Sequence, residues 1–452
     1  MAGSAVIIGG GLGGLVTGAL LSRKGCRVTV LEKNRNVGGG LQTFRRGGAV
    51  FSPCMHLVGG RDGGAASALL RSLGVDFSLE PCAMSVDIAG GKYRIPAGRD
   101  SFTEYLSGRF PGCGTELRRY VGRIGEIHDG MLAGEYLPES DALLPADKFI
   151  AGYISDGTLR GLLAWLNPLT GAQAGVTPAY VHAVISSMYI DGAYRFAGGT
   201  AGIVRQLCGI IVSSGGEVRS GCAAVEILVG NGTGSAGGKT VAGVAASDGK
   251  VYAADAYVSD ISPAAMAELC PEDAFPKAFR RRIAGQKPGI SMFSLYIRLK
   301  DCGRTAAEFF IDGTDGAWKS CGEMLCVREG NAVTVMVPLA ADGPSAMPYG
   351  GFSGLEERIF NRLEREEPGF RDRVDGCWSA TPETLKKYLG DPAGSAYGFS
   401  ICSDMPAYSR FGPRTRLRNF FLTGQNVFLH GLCGVSLASA AASSAVSDFL
   451  EI

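Results

Sequence analysis

The residues of the chain best placed to do chemistry are three glycines and one glutamate near its start. The stretch Ala5 to Lys33 reads AVIIGGGLGGLVTGALLSRKGCRVTVLEK. Gly9, Gly11 and Gly14 have the spacing GxGxxG, and Glu32 follows eighteen residues after the last of them. Gly9 permits a tight turn. Gly11 lets the backbone approach a pyrophosphate, and Gly14 lets a helix pack against a strand. The free N–H groups at the start of such a helix, with the partial positive charge there, suit phosphate. A carboxylate at Glu32 suits the two hydroxyls of an adenosine ribose. The elements needed to hold these groups are all in register. Val6–Ile8 is a short β-branched run, as a buried parallel strand requires. Leu12 to Lys24 reads as a helix stopped by Gly25, and Arg27–Leu31 as a second strand ending at Glu32. Ala5–Leu21 is uncharged and could pass for a membrane span. Its glycines, followed at once by SRKG and a β-branched strand, argue instead for a dinucleotide site.

The chain has four histidines, His56, His128, His182 and His430. His56 and His430 lie next to motifs and are the candidates to donate or accept a proton. The plainer reading is that they only hydrogen-bond backbone. His128 and His182 carry no motif and read as structural or surface residues. Thirteen cysteines without a CxxC pair read as reduced thiols, and no metal site is expected. Lys+Arg 44 against Asp+Glu 43 gives no basic surface for nucleic acid.

After Glu32 the sequence continues KNRNVGGGLQTFRRGGAVFSPCMH. With this segment the chain resembles the flavin-dependent amine oxidase and phytoene desaturase superfamily. Gly38 and Gly39 match that group's second Gly-Gly pair, and the resemblance implies FAD as the cofactor. Phytoene desaturases, carotenoid isomerases and retinol saturases carry Phe-Asp-x-Gly-x-His here. Phe51 and His56 match that pattern, whereas Ser52 and Cys54 depart from it. The resemblance places Gly9, Gly11, Leu12, Gly13, Gly14, Glu32 and Lys33 on FAD, with Gly38 and Gly39 at its phosphates and ribityl chain. A second block, Phe196 to Val229, would bring the backbone of Ala224 and Val225 to the adenine. A third block starts with a strand, Asn419–Thr423, followed by Gly424 and Gln425. A helix from about Gly434 would point Gly434, Val435 and Ser436 at the pyrimidine side of the flavin.

The expected fold is α/β. A Rossmann-like, glutathione-reductase-like FAD-binding domain over residues 1–75, 196–265 and 392–452 is interleaved with a substrate domain. That second domain, residues 76–195 and 266–391, is α+β and built on a mixed or antiparallel sheet. The alternation in Ser291–Leu299 suggests a sheet covering the flavin face, and Gly351–Glu367 reads as a helix. Asn231 to Gly238 reads as an exposed loop. Arg45 and Arg46 are most simply a solvated face. Trp165, Tyr189, Tyr194 and Tyr296 either line a tunnel or are core, and core is the simpler reading for most.

The resemblance implies an FAD-dependent oxidoreductase. It would exchange hydride between flavin N5 and a C–C bond of an apolar polyene, isoprenoid or retinoid-like substrate, as saturase, desaturase or isomerase. The alternatives are an amine-oxidase-like enzyme acting on C–N bonds and a flavin-binding protein without catalysis. With only one Rossmann fingerprint, electrons would pass to or from a quinone, NAD(P)H or a redox protein. A substrate of this kind dissolves in membranes, so the expectation is a cytoplasmic protein with a peripheral contact at the inner face.

Overall fold

The computed structural model describes residues 3–133, 141–231, 238–340, 350–404 and 411–452. The predicted loop between Asn231 and Gly238 lies outside the described residues over 232–237.

The first strand, β1 (Ser4–Ile8), runs into helix α1 (Leu12–Arg23) and then strand β2 (Arg27–Glu32). Both strands sit inside a five-stranded parallel sheet, in the order Glu217–Ser220, β2, β1, Ala256–Ser259, Phe420–Leu422. The alternation of β1 explains how the sheet is covered. Ala5 and Ile7 face a core made by α1, the helix Ala201–Ser213 and the helix Gly431–Leu450. Val6 and Ile8 face the opposite core, with Ile227 and Val244 of a three-stranded antiparallel sheet. A strand buried on both faces must be apolar throughout, which is why SAVII shows no polar alternation. Lys239–Ala246 turns through Asp248 and Gly249 into Val251–Tyr252, and the chain then enters the parallel strand Ala256–Ser259.

The second sheet has seven strands, ordered Val374–Ala380, Ser291–Leu299, Ala332–Leu339, Glu323–Glu329, Ala306–Ile311, Met84–Ile88, Gly91–Ile95. Its neighbours are antiparallel except Ala306–Ile311 with Met84–Ile88, so the sheet is mixed. Phe293, Leu295, Ile297 and Leu299 pack under the helix Gly351–Glu366. Their neighbours Met292 and Tyr296 are also buried, facing the other way. The alternation in this strand therefore marks two covered faces. A layer of helices between Arg99 and Asp191 closes the other side around Trp165, Phe102, Tyr120 and Phe149. A three-stranded patch, Val58–Gly59, Ala193–Phe196 and Leu79–Pro81, links the two parts.

One helix among the described residues, Gly431–Leu450, is long and apolar enough to cross a bilayer. Its Ala438, Ala442 and Val446 are buried, the last at 0% exposure, so here it packs as a core helix. It begins three residues before the expected Gly434. Gly431 has φ +76°, and His430 ahead of it is extended. That left-handed turn is what lets the loop enter the helix so early.

Candidate active site

The parallel sheet ends at a cavity of about 450 Å³, bounded by the carboxyl ends of β1, β2 and Ala256–Ser259. The start of α1 and the start of the helix Gly431–Leu450 close its sides. Open α/β sheets place their ligand sites at this end.

The glycine loop is packed as its spacing predicts. Gly9 has φ +101° and its N–H donates to Leu31 O at 2.9 Å. A Cβ on Gly14 would overlap the Gly9 carbonyl, so the helix can touch the strand only without one. A Cβ on Gly11 would lie 2.7 Å from Asp260 Oδ2, and one on Gly13 would overlap Oδ1. Gly11 has no side chain to cap α1, and the Asp260 carboxyl stands beside its first N–H groups at the cavity wall. The second pair clamps the first. Gly38 N–H donates to Gly10 O at 2.7 Å, and a Cβ on Gly39 would come within 3.0 Å of Gly11 Cα.

Glu32 is buried at the end of β2 and pre-positioned. Oε2 accepts from Gly10 N–H at 2.8 Å, while Oε1 accepts from Asn34 N–H at 2.7 Å and Asn34 Nδ2 at 2.8 Å. Lys33 also lines the cavity, and its Nζ donates to Lys387 O at 2.8 Å. Burial moves the Lys33 ammonium below the usual lysine range, against the opposing pull of Glu32.

Of the residues anticipated from the sequence, Gly9, Gly11, Leu12, Gly13, Glu32, Lys33, Gly39, Ala224, Gln425 and Val435 line this cavity. The others stand elsewhere. Gly14 and Gly38 work behind the wall, as packing and clamp. Val225 turns its side chain outward at 52% exposure. Gly424, with φ +89°, backs onto Asp260. Gly434 packs on the Leu429 carbonyl and borders the second cavity, and Ser436 is buried. Because the helix starts at Gly431, the residues of its first turn on the cavity are Gly431 and Leu432.

A narrower cavity of about 110 Å³ adjoins the first and shares Cys54, Met55, Tyr397, Gly431 and Leu432 with it. Its further walls are apolar, with Met131, Leu169, Val184, Ile185 and Met188 among them, and among the described residues no acidic or basic chain lines it apart from two histidines. Those two are His56 and His430. Burial pulls the His56 imidazole down to about 4, so it is neutral at physiological pH. Its ring hydrogen-bonds the Pro53 backbone, and Nε2 has no partner among the described residues. Neutral imidazole with one nitrogen donating leaves the other as an acceptor. His430 precedes the helix and packs at a tilt against Tyr397, with ring centroids 4.7 Å apart. Cys54, an exposed cysteine, lines both cavities.

His182 bonds Tyr120 OH at 2.7 Å and His128 bonds Asp129 at 2.8 Å, both away from the cavities. Arg45 and Arg46 are exposed on a small hairpin. Among the aromatics, Tyr189 lines the narrow cavity, while Trp165 and Tyr296 are core. Sequence reasoning missed Asp260, Asn34, Asp391, Tyr397 and Asn426, which all line the wide cavity.

Residues 7–73 match the family described as NAD(P)-binding Rossmann-like domain. All-trans-retinol 13,14-reductase of Rattus norvegicus is 24% identical, aligned over 98% of this chain and 85% of the relative. The chain is similar to retinol 13,14-reductases and carotenoid desaturases over nearly its whole length. Hydroxyneurosporene desaturase of Cereibacter sphaeroides is 23% identical over 98% of this chain and 97% of that protein. The crystal structure of an oxidoreductase from Methanosarcina mazei superposes with TM-score 0.71 at 19% identity, covering 98% of this chain and all of that one. The expected α/β architecture, Rossmann-like part and mixed sheet agree with this likeness.

Proposed function

We propose that the chain binds FAD and exchanges hydride between flavin N5 and a C–C bond of an apolar, polyene or retinoid-like molecule. The observation that carries this reading is the junction of the two cavities. A wide, glycine-walled dinucleotide cavity meets a narrow apolar one at Cys54, Met55, Tyr397, Gly431 and Leu432. An apolar pocket with few polar groups suits a hydrocarbon chain. Among the described residues no acidic side chain lines it to hold a protonated amine, which favours the hydrocarbon reading over the amine-oxidase one.

The residues fit FAD. The glycine loop and the start of α1 line the wide cavity, where their N–H groups suit a pyrophosphate, and Glu32 is held ready for a ribose. Bound there, FAD would supply the two-electron chemistry. The chain supplies position and a proton path. Apolar walls keep water from the reacting carbons. His56, neutral with Nε2 open, would accept a proton when a C–C bond is oxidised. His430 would hold or deliver one at the cavity junction. Similarity to a retinol 13,14-reductase supports an apolar substrate of retinoid or carotenoid chemistry. Such a molecule resides in membranes, so we place the protein in the cytoplasm, in contact with the inner face. Its electron partner would be a quinone, NAD(P)H or a redox protein.

The test is flavin absorbance without oxygen. Reduced and oxidised holoprotein are each mixed with polyenes, retinoids, quinones and amines. Colour regained with a polyene makes the protein a saturase, and bleaching of oxidised flavin by a polyene makes it a desaturase. Bleaching by an amine alone would overturn the reading.

A further inference from the structure

Asp260 ends the strand Ala256–Ser259 directly beneath the glycine loop, its N–H donating to Ile8 O at 2.8 Å. Its carboxyl is walled by three glycines. Oδ2 lies 2.7 Å from where a Gly11 Cβ would stand, Oδ1 lies 2.5 Å from that of Gly424, and Oδ1 would overlap a Cβ on Gly13. The backbone N–H groups of Gly11 and Gly14 favour the charged form of this carboxyl, and burial outweighs them. These N–H groups belong to the start of α1, where a dinucleotide phosphate would bind. The same cavity wall thus holds a carboxyl against the amides that an incoming diphosphate would use.

The charges around it give no relief. From β2 the facing group is Glu32, also acidic. The loop Gly9–Gly14 and the start of α1 carry no charge, and neither do Gly424 and Gln425 on the next strand's end. Further around the cavity stand Lys33, Glu268, Asp391, Tyr388 and Tyr397. Lys33 Nζ is turned toward Lys387 O. Burial, aided by Glu32, already raises the Asp260 carboxyl to about 7 before any phosphate arrives. A diphosphate diester brings two negative charges that do not titrate near neutrality. Like charges at such range favour the neutral acid.

Resting on the FAD reading above, we propose that FAD binds with uptake of one proton, that Asp260 is the group that takes it, and that the chain therefore releases FAD as the pH rises. A neutral Asp260 can also donate its O–H toward a phosphate oxygen, which an ionised one cannot.

The experiment measures free-FAD fluorescence over diluted holoprotein from pH 6 to 9. Wild type should hold FAD evenly up to about pH 7, then weaken about tenfold per pH unit, the slope expected for one linked proton. Asp260→Asn keeps the shape without the charge, and should hold FAD at the low-pH strength throughout. A second measurement does not depend on the variant folding. FAD is titrated calorimetrically into flavin-stripped wild type at pH 8 in phosphate and in Tris. The difference in heat should correspond to one proton taken up. Parallel pH profiles for both proteins, or equal heats in both buffers, would overturn the proposal while leaving FAD as the cofactor. If neither protein retains FAD at any pH, the cofactor reading fails and this inference goes with it.

Discussion

Tyr397 leans against His430 with ring centroids 4.7 Å apart and planes inclined at 54°. Tyr397 is fixed from behind, since its hydroxyl donates to the Pro168 carbonyl. Burial moves that hydroxyl well above the usual tyrosine range, so it stays protonated. The pair holds the imidazole at the junction of the two cavities. His430→Ala should lower kcat by roughly 10²-fold, the lower end of what a positioned acid or base contributes. The flavin-to-protein ratio should not change. Stopped-flow flavin reoxidation with the best polyene checks this, and an unaltered rate removes His430 from the proton path.

Glu32 accepts three N–H groups, from Gly10, Asn34 backbone and Asn34 side chain. It is therefore a brace for the glycine loop as well as the proposed ribose acceptor. Glu32→Ala removes both functions, and each lost charge-assisted bond is worth about 1.5–3 kcal/mol. The expected result is protein that purifies largely colourless, with at least roughly tenfold weaker FAD binding. Glu32→Gln, which can still accept from Gly10, should retain an intermediate amount. The flavin absorbance of purified variants decides it.

The parts of this arrangement that are local in sequence were legible there. GxGxxG, the β-branched strands beside it and Glu32 at a strand end form one continuous stretch, so their spacing alone specifies a turn, a helix start and a carboxylate at the strand end. Ser291–Leu299 showed its alternation, though the covering of both faces depended on Gly351–Glu366 and on helices far upstream. Asp260 was invisible as a site residue because what makes it matter is Gly11, some 250 positions away, meeting it across two strands. Pairing of Met84–Ile88 with Ala306–Ile311 leaves no periodic trace for the same reason. The start of the last helix was misplaced because HGLCG reads as loop until the left-handed Gly431 is seen.

Val184, Ile185 and Met188 present one face of the helix Ala179–Asp191 to the narrow cavity. Spacing of three and four residues puts them on a single stripe. The cavity measures only about 110 Å³, so its length in this direction should select substrates. Ile185→Trp should fill part of it. Long carotenoids should lose roughly tenfold or more in kcat/KM relative to wild type, while short retinoids lose less. Strain from overpacking should cost about 1–3 kcal/mol of stability. Turnover measured across polyenes of graded length checks the ratio, and an equal loss for all lengths would detach this helix face from substrate selection.

Glu323 opens the strand Glu323–Glu329 at 0% exposure, and neither carboxyl oxygen finds a partner among the described residues. It shares its side of the strand with Leu325 and Val327, which face the apolar helical layer. Burial alone raises its carboxyl well above the usual range, so the folded protein keeps it neutral. The sign of the pH effect follows. Below the unfolded value, near 4.5, both states hold the proton and nothing is lost. Above it the unfolded chain gives up the proton and the folded chain does not, so stability falls as pH rises toward the folded value. Glu323→Leu should flatten that slope and stabilise the fold by about 1–3 kcal/mol at neutral pH. Glu323→Gln should flatten the slope with a smaller gain. Urea midpoints at pH 5 and pH 8 for the three proteins provide the check. A wild type equally stable at both pH values, matched by Glu323→Leu, would mean that the carboxyl has a polar partner in solution.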